Sequence, residues 1–383
     1  MKQQRKITTL LFFICILGFP VLTLFSPKKT FSELENRYLK KRPSFSVSGW
    51  FDKTFMDDWE KYLSDHFIGR TDWIKAKIGL QIASGKNEIN GTYITSQRLM
   101  EVIPEPDMDK IKKSTDAINK FSGKTDKPVY VLLAPTSAGI YADTLPDNTP
   151  QLDQRNIISA IYSQFDEKVT TIDTFEFLKA NKENYIYYRT DHHWTSLGAY
   201  YAYSIAIQKM GFSPVLFSKY NIEHAASDFR GTYYSRTLYD KTEDDIIDIY
   251  SCEGGNTVKS CTVTKGIING KADSEEYDDI YFREFLDKKD KYSTYLGQNQ
   301  PMINIKTDSE SDKKLLVFKD SYAHSFIPFL TQHFNEITVL DMRYIRKLSD
   351  YLPDSETDKY SQILFLYNST TFSEDDYIKN LIY

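Results

Sequence analysis

An α/β architecture with a mostly parallel sheet is the fold class this sequence predicts, on three observations. Residues 129–134, 314–318 and 362–368 are near-continuous apolar runs, the pattern of strands buried on both faces. Such runs alternate with stretches of helical apolar spacing, which implies right-handed βαβ units and a three-layer α/β/α stack. A chain of 383 residues with 41% hydrophobic content is long enough to bury one large core, with or without a satellite.

Lys2, Arg5 and Lys6 precede an uncharged run over residues 7–27, with Lys28 and Lys29 just beyond. About 20 apolar residues suffice to cross a bilayer. The small-residue cleavage pattern is missing around residues 21–26, which favours an uncleaved anchor over a removed signal peptide. The basic end stays in the cytosol and the rest of the chain lies outside. Residues 1–27 therefore read as a membrane anchor, kinked at Pro20, that takes no part in the soluble fold.

Residues 28–125 read as a leader and helical segment. After a polar stretch, Phe51, Phe55, Trp59, Leu63, Phe67, Trp73 and Ile74 recur at spacings near three and four, the mark of amphipathic helices, broken around Gly69. Asp65 and Arg70 within it read as structural ion partners. Asn90-Gly91 predicts a turn into a strand, and residues 109–121 a helix.

Residues 126–383 form the main domain. Strand 129–134 is followed by helix 156–165, strand 169–173 and the loop at 188–193. Trp194, Leu197, Tyr201 and Ile205 then line one face of a helix that stops at Gly211. Over residues 212–312 the βαβ rhythm gives way to Tyr-rich, acidic, hairpin-like segments, a β-rich insertion. Within it, residues 248–261 read as a hairpin turning at Gly254-Gly255. Cys252 and Cys261 could bridge that hairpin, although a two-residue turn does not place them opposite each other. The alternation resumes with strand 314–318, a helix over 321–334 interrupted by Pro328, and strands 337–341 and 362–368. No internal repeat is evident.

A net charge of −5 without a Lys/Arg cluster argues against nucleic acid as a partner. The 28 tyrosines and 24 phenylalanines suit strands and half-buried surface; exposed rings among them could also stack on sugar faces.

Chemistry concentrates at Asp191-His192-His193-Trp194, which holds two of the six histidines. Serine is a poor nucleophile at neutral pH; it needs a base within hydrogen-bond reach, and the base needs an orienting acceptor. Asp191 and His193 could supply both parts, leaving His192 as a packed or solvent-facing neighbour. Ser321 follows a buried strand at the carboxyl edge of the sheet, where α/β folds bind ligands, and a helix N-terminus there favours an oxyanion. Ser and Asp are also preferred helix caps, so Asp320-Ser321-Tyr322 by itself fits a cap as well as a nucleophile. His324 is a rival base, more naturally a helix residue near the mouth of the site. A metal would need further ligands that the spacing does not offer; neither metal nor cofactor is expected.

The run Thr190-Asp191-His192-His193-Trp194-Thr195 resembles the signature of the bacterial DHHW protein family, similar to the SGNH-hydrolase-like, alginate O-acetyltransferase group of extracytoplasmic enzymes. Glu35-Asn36-Arg37, Asp65-His66-Phe67 with Arg70, Gly231-Thr232-Tyr233-Tyr234-Ser235 and Asp341-Met342-Arg343-Tyr344 extend the likeness over most of the ectodomain. In that group an Asp-x-His precedes the catalytic Ser, the reverse of ordinary SGNH hydrolases, and the same order holds here. The resemblance thus implies an SGNH-like fold, with Ser321 as nucleophile, His193 as base and Asp191 as orienter. Lys319 stands where the nucleophile block usually opens with Gly, and the Gly and Asn oxyanion blocks are not identifiable. The Ser321 N–H is one candidate donor, with Tyr322, Arg343 and Asn368 as further oxyanion or substrate-binding candidates.

The function so implied is O-acetyl transfer to a cell-surface or secreted polysaccharide through an acetyl-serine. A membrane-bound O-acyltransferase partner would supply the acetyl group. The same chemistry with water as acceptor would make a carbohydrate acetylesterase. A non-catalytic polysaccharide-binding or assembly protein would keep the fold without the chemistry.

Overall fold

Residues Gln3–Phe25 form one continuous helical run of 23 residues, as the apolar N-terminal stretch requires. The computed structural model describes residues 2–146 and 149–382. The chain divides into two units, Met1–Asn90 with Tyr234–Lys241, and Gly91–Tyr233 with Thr242–Tyr383.

In the first unit, α1 (Thr54–Asp65) and α2 (Arg70–Ala83) carry the amphipathic pattern. The break falls at Gly69, whose φ of +65° only glycine adopts without cost. Arg70 pairs with Glu35 at 2.6 Å and Arg37 with Asp65 at 2.5 Å, so these charges hold the leader together. The N-terminal helix is not separate from this unit at its far end. Thr23 is buried, and its hydroxyl accepts from the Ile68 N–H at 3.2 Å.

In the second unit, α3 (Met108–Gly123) is capped by Asp107, whose carboxylate accepts from the N–H groups of Asp109 and Lys110. β1 (Val129–Ala134) is buried at every position. After α4 (Gln154–Tyr162) come β2 (Val169–Ile172) and α5 (Ser196–Lys209), which ends just before Gly211 at φ +87°. The face of α5 in the core is Ala199, Tyr200, Ala202, Tyr203, Ala206 and Ile207. Leu197, Tyr201 and Ile205 are only partly buried against that core. The buried face is thus turned away from the Leu197-Tyr201-Ile205 line, toward the alanines, Tyr203 and Ile207.

β3 (Tyr220–Phe229) and β4 (Asp245–Cys252) form a separate antiparallel ribbon. They are followed by β5 (Val258–Ile268), β6 (Lys271–Tyr277), β7 (Met302–Thr307), β8 (Lys314–Lys319), β9 (Glu336–Leu340) and β10 (Gln362–Asn368). The central sheet has the order β6-β5-β7-β9-β8-β10-β1-β2. From β9 to β2 neighbouring strands are parallel; β7, β5 and β6 continue the sheet antiparallel. Phe318 of β8 pairs in register with Phe365 of β10, their rings stacked 4.7 Å apart, and Phe121 of α3 packs edge-on to both.

Three expectations are corrected here. The stretch 212–312 is not one inserted lobe, because β5, β6 and β7 extend the central sheet and only β3 and β4 stand apart. Residues 248–261 are not a hairpin: β4 pairs with β3 and β5 with β7, so Cys252 and Cys261 belong to different sheets, and both are free thiols. The helix expected over 321–334 is a 3-10 turn at Ser321–Ala323 and a short helix at Ile327–Leu330, with Pro328 in its first turn, where a missing N–H costs least.

Candidate active site

The loop carrying Asp191 and His193 is closed by an isolated bridge between Tyr187 and Trp194. Thr195 caps α5, its hydroxyl accepting from the Gly198 N–H at 3.2 Å. A Cβ on Gly198 would stand 2.1 Å from the Ile186 carbonyl oxygen, so only glycine lets helix and loop approach this closely. Beneath the loop lies Asp245, fully buried. Its carboxylate accepts from the N–H groups of Arg189 and Thr190 at 2.7 and 2.8 Å and from the Thr190 and Tyr185 hydroxyls, each at 2.5 Å. These bonds fix the backbone that enters Asp191.

Asp191 Oδ1 accepts from the His193 N–H at 3.0 Å and lies 2.6 Å from His193 Nδ1. Its Oδ2 accepts from the Thr232 N–H at 2.8 Å. Gly231 passes so close that an added Cβ would sit 2.2 Å from Asp191 Cβ. On the other side of the imidazole, His193 Nε2 lies 2.8 Å from Ser321 Oγ. The structure therefore brings Asp191, His193 and Ser321 into one hydrogen-bonded line. Tyr292 lies flat against the His193 ring, centroids 3.7 Å apart at 7°, and its hydroxyl donates to the Ser321 carbonyl at 3.0 Å.

Ser321 follows β8 at the carboxyl edge of the sheet. The capping acceptor of its turn is Asp320, whose Oδ1 accepts from the Tyr322 N–H at 2.9 Å, which leaves Ser321 Oγ to face His193. Asp320 Oδ2 accepts from both the backbone N–H and the side-chain amide of Asn368, at 2.8 and 2.6 Å. Trp194 Nε1 donates to the Tyr322 carbonyl at 3.0 Å, and the Tyr322 hydroxyl donates to the His192 carbonyl, so the two loops are tied twice more.

Burial sets the protonation states. Burial and the neighbouring His192 push the His193 imidazole down to about 4, Asp191 opposing, so it is neutral near pH 7. Neutral His193 can donate from Nδ1 to Asp191 and accept at Nε2 from the serine hydroxyl. Burial would raise the Asp191 carboxyl, but His192 and His193 hold it well below the usual carboxylate range. His324, the rival base, is buried rather than at the mouth. Its Nε2 lies 2.7 Å from Lys319 Nζ and its Nδ1 2.9 Å from the Tyr295 carbonyl, so both nitrogens are committed away from Ser321. Lys319, where a glycine was expected, also reaches Asn299 at 2.8 Å and Asp341 at 3.1 Å in a buried cluster behind the serine turn.

The remaining candidates are placed differently from one another. The Ser321 N–H makes no hydrogen bond among the described residues. The Tyr322 N–H and hydroxyl are both engaged, as above. Both amide protons of Asn368 are taken, by Asp320 and by Thr371 Oγ1 at 2.7 Å, so this side chain has none left for an oxyanion. Arg343 grips Asp341 through Nε and Nη2 at 2.8 and 2.5 Å, and its charge reaches His193. Asp191, His192 and His193 also offer metal-ligand atoms within 4.8 Å of one another, but a metal on His193 would displace either Asp191 or Ser321. Tyr292, Gly231, Thr232 and Asp245 complete the surroundings of the site without a chemical motif of their own in the sequence. Only Gly231-Thr232 carried a signal, as part of the family-like run at 231–235.

A family model described as "DHHW protein" matches residues 111–340. Among solved structures, a DHHW family protein from Eubacterium siraeum aligns with 77% of this chain and 96% of its own, at 27% identity and TM-score 0.64. Bacillus cereus PatB1 with a sulfonyl adduct aligns with 76% of this chain and 98% of its own, at 20% identity and TM-score 0.63. The O-acetyltransferase domain of Pseudomonas putida AlgJ aligns with 74% and 93%, at 13% identity and TM-score 0.45. Among curated proteins none matches.

Proposed function

The chain belongs to the DHHW protein family, and we propose that it is an extracytoplasmic O-acetyltransferase using Ser321 as nucleophile, His193 as base and Asp191 as orienter. The observation that carries this reading is the 2.8 Å approach of Ser321 Oγ to His193 Nε2, with Asp191 2.6 Å behind. As Ser321 Oγ attacks an acetyl carbonyl, its proton passes to His193 Nε2 and the imidazolium is held by Asp191. The Ser321 N–H is free to donate to the developing oxyanion. The imidazolium protonates the leaving group, giving acetyl-Ser321. A sugar hydroxyl then gives its proton to His193 and attacks the ester, restoring Ser321 with the help of the same proton.

The PatB1 structure with a sulfonyl adduct is consistent with a reactive nucleophile in this fold. The helix Gln3–Phe25 is long and apolar enough to be a retained anchor, which would keep the site at the outer face of the membrane, beside a membrane-bound O-acyltransferase that supplies the acetyl group to a polysaccharide acceptor. The test is mass spectrometry of the chain after incubation with nitrophenyl acetate. An acetyl group on Ser321, absent in Ser321→Ala and released faster by an added glycan than by water, is expected. Full activity of Ser321→Ala would overturn the reading.

A further inference from the structure

We propose that the groove between the N-terminal helix and the leader helices α1 and α2 holds the acyl chains of bilayer lipids. The leader would then lie partly in the outer leaflet instead of standing clear of the membrane. This goes beyond the acetyl-transfer reading and rests on one element of it, the retained anchor.

The inference starts from where the helix is gripped. At 1.5 Å per residue, Phe19 lies about 9 Å before Phe25, the last residue of the run. Its ring packs against Phe67 at 5.7 Å and Trp73 at 5.8 Å. Nearer the end, Thr23 Oγ1 accepts from the Ile68 N–H at 3.2 Å, and beyond it the Lys29 carbonyl lies 3.1 Å from His66 Nε2. The uncharged part of the run, residues 7–25, is close to the roughly 20 residues needed to span the hydrocarbon core. There is little spare length, so side chains packed on Phe19 sit at the depth of the acyl chains. Interfacial helices bury their apolar face about 5–10 Å into that same boundary.

The leader is built for such surroundings. Between the helix and α1 and α2 is a cavity of about 1190 Å³; Leu24, Met56, Trp59, Leu63 and Trp73 make its apolar part, and Asp57, Glu60 and Lys77 stand on its polar wall, where lipid headgroups would meet them. That volume exceeds the roughly 300–1,000 Å³ typical of a pocket for one small molecule and suits long chains. Met56, Trp59 and Leu63 recur at the spacing of one helix face. Phe45, Trp50, Phe51, Met56, Trp73 and Leu80 are largely exposed, an apolar display that a water-facing surface does not need. At the helix exit Lys28 donates to the Thr23 carbonyl, and beyond it Glu35, Arg37, Asp65 and Arg70 are paired with one another, which lowers the cost of standing at the interface.

The test reconstitutes the full-length chain in phosphatidylcholine vesicles whose acyl chains are brominated close to the headgroup, and reads tryptophan fluorescence against unbrominated vesicles. Partial quenching is expected, with a quenchable share that falls clearly in Trp73→Phe and in Trp50→Phe, while nitrophenyl acetate turnover stays as in the unmodified chain. Fluorescence indifferent to bromination, or a quenchable share unchanged in both variants, would overturn the proposal. The intact mass of the membrane-bound chain shows whether residues 1–27 are retained. A shorter mass removes this inference and leaves the Ser321 chemistry standing.

Discussion

The side-chain amide of Asn368 donates to the Asp320 carboxylate at 2.6 Å, and the same carboxylate caps the turn on which Ser321 stands. Asn368 thus shapes the serine turn from behind. Replacing it by Ala leaves a buried carboxylate short of one donor and should cost about 1–3 kcal/mol. Asn368→Asp would set two carboxyl groups against each other and should cost more. Urea midpoints should fall in that order, with kcat on nitrophenyl acetate falling alongside and KM nearly unchanged. Wild-type stability of Asn368→Asp would contradict the assigned bonding.

Asp191→Asn keeps one acceptor oxygen where Asp191 uses two, so its NH2 either faces His193 Nδ1 and disfavours the Nδ1–H form or opposes the Thr232 N–H. On the proposed roles, a fall in kcat of about 10⁴-fold is expected, as for the same change in a Ser-His-Asp triad. Binding of a non-reacting acetyl ester analogue, measured by calorimetry, should stay close to that of the unmodified protein.

Acid should act on activity and on stability through His193. Its imidazole is pushed down to about 4 from an ordinary value of 6.5. On the proposed role of His193 as base, the acid limb of kcat/KM should fall near pH 4 instead of near 6.5. Between these values the unfolded chain binds a proton that the folded chain refuses. The stability contribution is thus complete above pH 6.5 and is lost as pH falls toward 4. Asp191, held below the usual carboxylate range, adds a loss in the same direction at lower pH. Urea midpoints at pH 7 and pH 4.5 check the sign.

Tyr292 covers one face of His193 and so contributes to the burial that depresses the imidazole. Tyr292→Ala should move the acid limb of kcat/KM upward toward 6.5. Tyr292→Phe, which keeps the stacked ring and loses only the hydroxyl bonds to the Ser321 carbonyl and Ser325, should leave the limb in place.

Gly231→Ala would drive a methyl group into Asp191, 2.2 Å from its Cβ. Overpacking of this kind costs about 1–3 kcal/mol, and here the displaced group is the carboxylate bonded to His193 Nδ1. Activity should fall by more than the loss of stability explains, read as kcat at a temperature where the variant is still folded by circular dichroism.

What the sequence determined by itself is what short-range pattern encodes. The runs at 129–134, 314–318 and 362–368 became parallel strands, because a strand buried on both faces needs apolar residues at every position. The Asp191-x-His193 spacing was legible because two residues of one loop suffice to pair a carboxylate with an imidazole. Where burial is one-sided or polar partners are distant, the pattern fell silent. β5 is only intermittently buried, so its place in the sheet rests on cross-strand bonds to β7. Residues 321–334 read as one helix, since Asp320 capping a single turn and Pro328 restarting the chain leave the apolar spacing unchanged. Only the tertiary structure decided that Ser321 meets His193, that Asn368 serves Asp320, and that Tyr292 and Gly231 enclose the site. Each of these contacts joins residues far apart in the chain, and their geometry is set by the parallel order of β8, β10 and β1 and by the loops that order brings to one edge.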